Sequence, residues 1–286
     1  MSNIVAYQGE PGANSDLACR KVLPGWTTLP CASFEEAFAA VAEGRAQRAM
    51  IPVENSIAGR VADVHHLLPR GGLHIIGEHF QAVHHCILGL PGTKLSELRE
   101  VHSHVQALGQ CRETLRKLGV KPVVHADTAG AAADVAKRGD KTIGAIASEL
   151  AAEIYGLDIL QKNAEDVAHN TTRFLVMQVD PAAQPPLPSA GGDAVMTSFL
   201  FRVRSIPAAL YKALGGFATN GVNLVKLESY MVDGKFQAAQ FYVDAEGHPN
   251  ERNFALALDE LRFFAEEVKV LGTYPASPFR RSESQR

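Results

Sequence analysis

Asp180-Pro181-Ala182-Ala183-Gln184-Pro185-Pro186-Leu187-Pro188-Ser189-Ala190-Gly191-Gly192 has no hydrophobic period and is dense in residues that break helices and strands. It reads as a linker, and the chain divides around it. The expected organisation is a first domain over 1–180, a linker over 181–194, a second domain over 195–276 and a polar tail over 277–286.

Upstream of the linker, short apolar runs such as Ile4-Val5-Ala6, Ala49-Met50-Ile51, Val123-Val124 and Ile143-Gly144-Ala145-Ile146 alternate with helical patterns. That alternation predicts an α/β domain with mainly parallel strands. Leu108, Cys111, Leu115 and Leu118 recur at helical spacing, with Gly119 placed as a C-cap, so one helix is expected after Val105. Another is expected near Thr128, read as the N-cap of the alanine-rich stretch from Ala129 to Ala136.

Downstream, Ser198 to Val203 reads as a strand and Pro207 to Phe217 as a helix. Val225 to Met231 and Phe236 to Val243 read as a hairpin turning at Asp233-Gly234. Phe254, Leu258, Leu261, Ala265 and Val268 mark a last helix, followed by the short strand Lys269 to Leu271. The order βαββαβ is that of a ferredoxin-like module.

Composition narrows the function. The 286 residues are 46% hydrophobic and 21% charged, with a formal net charge of -3, which suits a globular protein and leaves no basic surplus for nucleic acid. No apolar run reaches the length of a membrane span, and Met1 to Tyr7 lacks the basic start and apolar core of a secretion signal, so a cytoplasmic location is expected. The four cysteines form no C-x-x-C pair, and the histidines at 65, 66, 74, 79, 84, 85, 102 and 104 fit no recognised ligand spacing. No metal and no organic cofactor is expected.

Several polar clusters follow the apolar runs, where open α/β sheets form ligand crevices. Tyr7 to Ser15 carries Gly9 and Gly12, which would let backbone N–H groups approach an anion; an ordinary turn is the commoner use of such a pattern. Pro52-Val53-Glu54-Asn55-Ser56 offers a carboxylate, an amide and a hydroxyl, or simply a cap for the helix around Val61 to Leu68. Ser103 and His104 precede a helix start with Gln106 and Gln110 four residues apart on one face, which a solvated helix end also explains. Thr171-Thr172-Arg173-Phe174 sets a hydroxyl and a guanidinium at the head of an apolar run. The guanidinium suits a carboxylate, although a surface strand with one arginine is commoner on spacing alone.

Together these segments resemble the prephenate dehydratase family. The glycine motif Tyr7 to Ser15, Pro52 to Ser56, Ser103 to Gln110, Asp127-Thr128-Ala129-Gly130-Ala131-Ala132 and Thr172-Arg173-Phe174 stand in the family's order over about 180 residues. The resemblance implies a two-lobed, periplasmic-binding-protein-like catalytic domain. It also implies decarboxylating dehydration of prephenate to phenylpyruvate, with Thr172 serving the departing hydroxyl and Arg173 anchoring a carboxylate. Asn55, Ser56, Ser103, His104, Gln106, Gln110, Thr128 and Phe174 are the further substrate-binding candidates, and His104 is a rival acid on the intrinsic imidazole pKa of roughly 6.5.

The second domain is similar to ACT domains, which sense amino acids. That resemblance implies L-phenylalanine as effector at Ala208, Ala209, Leu210, Asn223, Leu224, Glu228 and Ser229, and pairing of subunits into a homodimer or homotetramer. Family members usually carry Gly where Ala208 stands and Arg-Pro where Tyr230-Met231 stand. Arogenate dehydration and a non-catalytic amino-acid-sensing protein are the competing readings.

Overall fold

A computed structural model describes residues 3–181, 185, 187, 194–204, 206–231 and 238–283. The chain forms two compact units, 1–67 with 79–175 and 68–78 with 176–286.

The first unit runs β1 (Ile4–Gln8), α1 (Asn14–Val22), β2 (Thr27–Cys31), α2 (Phe34–Ala42), β3 (Arg48–Asn55), β4 (Gly59–Arg60), α3 (Ala62–Leu67) and β5 (His74–Ala82). It continues with β6 (Cys86–Gly89), β7 (Glu100–Ser103), α4 (Val105–Gln110), α5 (Arg112–Leu118), β8 (Lys121–Val124), α6 (Thr128–Arg138), β9 (Ile143–Ala147), α7 (Glu149–Tyr155), β10 (Asp158–Gln161) and β11 (Thr171–Gln178). One sheet has the order β2-β1-β3-β11-β5, with β4 paired to β3, and the other the order β10-β6-β9-β7-β8. The chain passes between them twice, through 83–85 and 162–170, which gives the unit two lobes. β1 pairs in parallel with both β2 and β3, and β7 with both β8 and β9, whereas β6 runs antiparallel to its neighbours.

The helix expected after Val105 is two helices. Cys111 leaves helical geometry at φ -112° and ψ 19°, and α5 starts anew because Asp166 accepts the N–H groups of Glu113 and Thr114 at 2.9 and 3.2 Å. Gly119 closes α5 in the left-handed conformation, as its position suggested. The N-cap of α6 is Asp127, one residue before the expected Thr128, with its carboxylate 2.6 Å from the N–H of Gly130.

The second unit carries β12 (Val195–Val203), α8 (Ala209–Thr219), β13 (Leu224–Met231), β14 (Ala238–Glu246), α9 (Arg252–Phe264), β15 (Ala265–Pro275) and α10 (Pro278–Glu283). The βαββαβ order folds into an antiparallel sheet, β13-β14-β12-β15, of ferredoxin-like topology. Phe199, Phe201, Phe217 and Phe254 pack between that sheet and its two helices, each worth roughly 2–3 kcal/mol in buried apolar surface. Segment 68–78, including the first half of β5, belongs to this unit, although its sequence position had placed it in the first domain. Its backbone presses on the sheet so closely that a Cβ at Gly272 would overlap the carbonyl of Ile75, and Pro69 accepts from Lys269 at 2.8 Å. The tail, read as merely polar, forms α10, which Arg280 fastens to the buried Glu78 at 2.6 and 2.8 Å. The expected turn at Asp233-Gly234 and most of the linker lie outside the described residues.

Candidate functional site

A cleft of about 300 Å³ opens in the first unit, between its two lobes. From the first lobe it receives Gln8, Gly9, Ala13, Asn14 and Ser15, which lead from the end of β1 into α1, and Asn55 from the end of β3. Helix α1 has no side-chain cap, so its first N–H groups are left for whatever enters. The second lobe contributes His104, Gln106 and Gln110 from α4, and Asp127 and Thr128 from the start of α6. Val83, His85, Asn170 and Thr172 come from the two chain crossings and the head of β11.

No lysine or arginine lines this cleft among the described residues, and the one carboxylate, Asp127, is engaged in capping α6. An anion entering there would meet neutral donors and the uncapped start of α1, since the start of α6 already holds the Asp127 carboxylate.

Asn55 organises the polar floor. Its Oδ1 accepts the backbone N–H groups of Ile57 and Ala58 at 3.0 and 2.8 Å, which fixes the amide so that Nδ2 must donate elsewhere. That nitrogen donates to Asn170 Oδ1 at 2.7 Å and to Thr172 Oγ1 at 3.0 Å. Asn170 donates in turn to Gln110 Oε1 at 2.9 Å, and His85 Nε2 lies 2.6 Å from the same oxygen. Burial lowers the pKa of His85, only partly offset by its bond to Gln110 and the nearby Glu165, and favours a neutral ring.

Of the sequence candidates, Asn55, His104, Gln106, Gln110, Thr128 and Thr172 meet in the cleft. Ser56, Ser103, Arg173 and Phe174 are not among its lining residues. The Ser56 hydroxyl donates to His169 O and accepts Thr171 N–H, stitching the β3 turn to the start of β11. Ser103 is buried and donates to Ile146 O at 2.7 Å. Successive strand residues face opposite sides, so Thr172 on the cleft side sends Arg173 to the other; it is 3% exposed, with its guanidinium 6.0 Å from the Phe80 ring centre. Phe174 is core.

Gly9 lines the cleft, but Gly12, at φ +89°, is a seat for α7, because a Cβ there would stand 2.8 Å from Ala151 Cα. Ser148 and Tyr155 donate to the carbonyls of Gly12 and Pro11 beside it. Two polar residues of the cleft had no role assigned from sequence: Asn170, which lies in the segment His169 to Phe174 that points most strongly to the family, and His85, one histidine among many.

In the second unit, Ala208, Ala209 and Leu210 stand at the start of α8, while Asn223 and Leu224 lie past its far end, about 16 Å away for an 11-residue helix. Glu228, paired with Lys226 at 3.2 Å, and Ser229 lie along β13. Among the described residues no metal-binding group of three His, Cys, Asp or Glu side chains occurs, and no helix is long and apolar enough to cross a membrane.

A family model described as prephenate dehydratase matches residues 5–182. A bifunctional N-acyl-homoserine lactone acylase/prephenate dehydratase of Komagataeibacter europaeus is 56% identical over 97% of this chain and 98% of its own. Arogenate dehydratase/prephenate dehydratase 1, chloroplastic, of Arabidopsis thaliana is 40% identical, covering 95% of this chain and 71% of the relative. The solved prephenate dehydratase of Arthrobacter aurescens in complex with L-Phe superimposes with a TM-score of 0.85 at 27% identity, over 99% of this chain and 97% of that one.

Proposed function

The chain belongs to the prephenate dehydratase family, a family of carbon–oxygen lyases, and from that premise we propose that it converts prephenate to phenylpyruvate in L-phenylalanine biosynthesis. The contact of Asn55 Nδ2 with Thr172 Oγ1 in the cleft carries the proposal. Prephenate has two carboxylates. As the ring carboxylate leaves as carbon dioxide, its bonding electron pair enters the ring, the ring C–O bond breaks, and the departing oxygen takes a proton and leaves as water.

Thr172 serves that oxygen. Its own oxygen already accepts from Asn55, so its hydrogen is left for the leaving group, in a position fixed before substrate arrives. His104, whose Nδ1 accepts the Gln106 N–H at 3.3 Å, presents Nε2 as the other acid of the cleft. The carboxylates are held by Gln106, Gln110, Thr128 and the uncapped start of α1. Arg173 is a support of β11 in this reading and no longer the anchor.

The second unit is proposed to be an ACT regulatory domain binding L-phenylalanine. The distance between Ala208 and Asn223 within one chain supports a site completed by a second copy, hence a homodimer or homotetramer. Exposed Val225, Leu227 and Met231 on edge strand β13 support the same pairing.

A second reading, cleavage of the amide of N-acyl-homoserine lactones, is favoured by one observation, the 56% identity to the bifunctional relative. The test of both is one set of incubations of the purified protein with prephenate, arogenate and an N-acyl-homoserine lactone, following phenylpyruvate, phenylalanine and free acid. Phenylpyruvate forming from prephenate faster than phenylalanine from arogenate is expected; no phenylpyruvate at all refutes the main reading.

A further inference from the structure

His85 has no part in the reaction as described, yet it is 4% exposed, lines the cleft, and sits on the first chain crossing between the lobes. Its backbone is held on both sides, by Glu165 Oε2 accepting its N–H at 2.9 Å and by its carbonyl accepting from Ala164 at 2.8 Å. The donor and acceptor roles along the polar floor follow from an end that cannot reverse. Backbone N–H groups only donate, so the Asn55 oxygen faces Ile57 and Ala58, and its nitrogen faces the Asn170 oxygen. The nitrogen of Asn170 therefore faces the Gln110 oxygen, and that oxygen is an acceptor at both its contacts. His85 Nε2, 2.6 Å away, must carry a hydrogen.

We infer that His85 is a positioning residue: as the Nε2–H tautomer it joins Asn170 in gripping the Gln110 carboxamide by its oxygen, which turns the Gln110 NH2 group toward a substrate carboxylate. The grip comes from both chain crossings, His85 on the first and Asn170 on the second, while Gln110 belongs to the second lobe. The Gln110 NH2 has no partner among the described residues and is therefore available to a ligand. Without His85 one donor remains, and the amide gains freedom to rotate.

The inference rests on the prephenate dehydratase reading for its substrate, and the tests separate the two. Two-bond 1H–15N spectra of the substrate-free protein at pH 8 should show the His85 ring with Nε2 protonated and Nδ1 bare; the opposite tautomer overturns the inference whatever the protein catalyses. If wild-type protein fails to make phenylpyruvate, the functional reading falls and the tautomer still decides this one. In the active enzyme, His85→Leu should raise KM for prephenate roughly tenfold with a smaller change in kcat. His85→Gln, whose amide N–H reaches the place of ring Nε2, should recover KM to within about threefold of wild type. A wild-type KM in His85→Leu, or a His85→Gln no better than His85→Leu, overturns the assignment. A fall in thermal stability without a change in KM does the same, since it marks a merely structural role.

Discussion

Asn55 Nδ2 donates to Thr172 Oγ1 across 117 positions of sequence, at 3.0 Å, and it can do so in only one orientation because the Asn55 oxygen is taken by two backbone N–H groups. The hydroxyl oxygen is thereby made an acceptor and its hydrogen a donor. Asn55→Asp sets a second acceptor against both Thr172 and Asn170 without changing the side chain's size. It should lower kcat about 100-fold, with the far-ultraviolet spectrum unchanged. Turnover within threefold of wild type would separate Asn55 from the chemistry.

Arg173 is buried and absent from the cleft lining, in keeping with strand alternation next to Thr172. Arg173→Lys should therefore leave KM for prephenate nearly unchanged and lower stability to denaturant by about 1–3 kcal/mol, through a buried guanidinium poorly replaced by an ammonium. A KM raised tenfold in a protein of wild-type stability would restore Arg173 as a carboxylate anchor.

The architecture was largely readable from sequence, since hydrophobic period and turn residues act locally. β12, α8 and β13 lie where the apolar spacing put them, whereas the last helix, expected to include Ala265 and Val268, ends at Phe264, and both residues belong to β15. What failed depended on distant partners. Asp166 splits the helix after Val105 from more than 50 positions away, and Arg280 folds the tail onto Glu78 from about 200. The site divides in the same way. Residues on helix starts and at the end of β3 came forward because their motifs are contiguous, whereas His85 and Asn170 acquire meaning only through Gln110 and Asn55. Arg173 came forward on charge alone, and next to Thr172 on β11 it stands outside the cleft lining.

Ala208 occupies the left-handed region at φ 59° and ψ 20°, just before α8. A Cβ is penalised there by about 1–2 kcal/mol, more than the extra chain entropy that glycine loses on folding. Ala208→Gly should raise stability by up to about 1 kcal/mol, measured by denaturant unfolding. A loss of stability would mean that the methyl group makes a contact worth more than the strain.

Burial lowers the pKa of His79 and His85, against opposing hydrogen bonds to Gln81 and Gln110 respectively. With folded values below the ordinary 6.5, the unfolded chain takes up protons first as pH falls. This contribution to stability is full above pH 6.5 and is lost progressively below it. Unfolding in urea should need less denaturant at pH 5.5 than at 7.5, and His85→Gln should flatten part of that difference. Equal or greater stability at pH 5.5 would contradict neutral rings at these two positions.

If the Thr172 hydroxyl, held by Asn55, serves the departing oxygen of prephenate, phenylpyruvate formation by Thr172→Ser and Thr172→Val at saturating prephenate will differ sharply. Serine keeps the hydroxyl and should retain kcat within about tenfold, while isosteric valine should lose at least about 100-fold without unfolding. A valine variant that turns over prephenate like wild type would contradict the account.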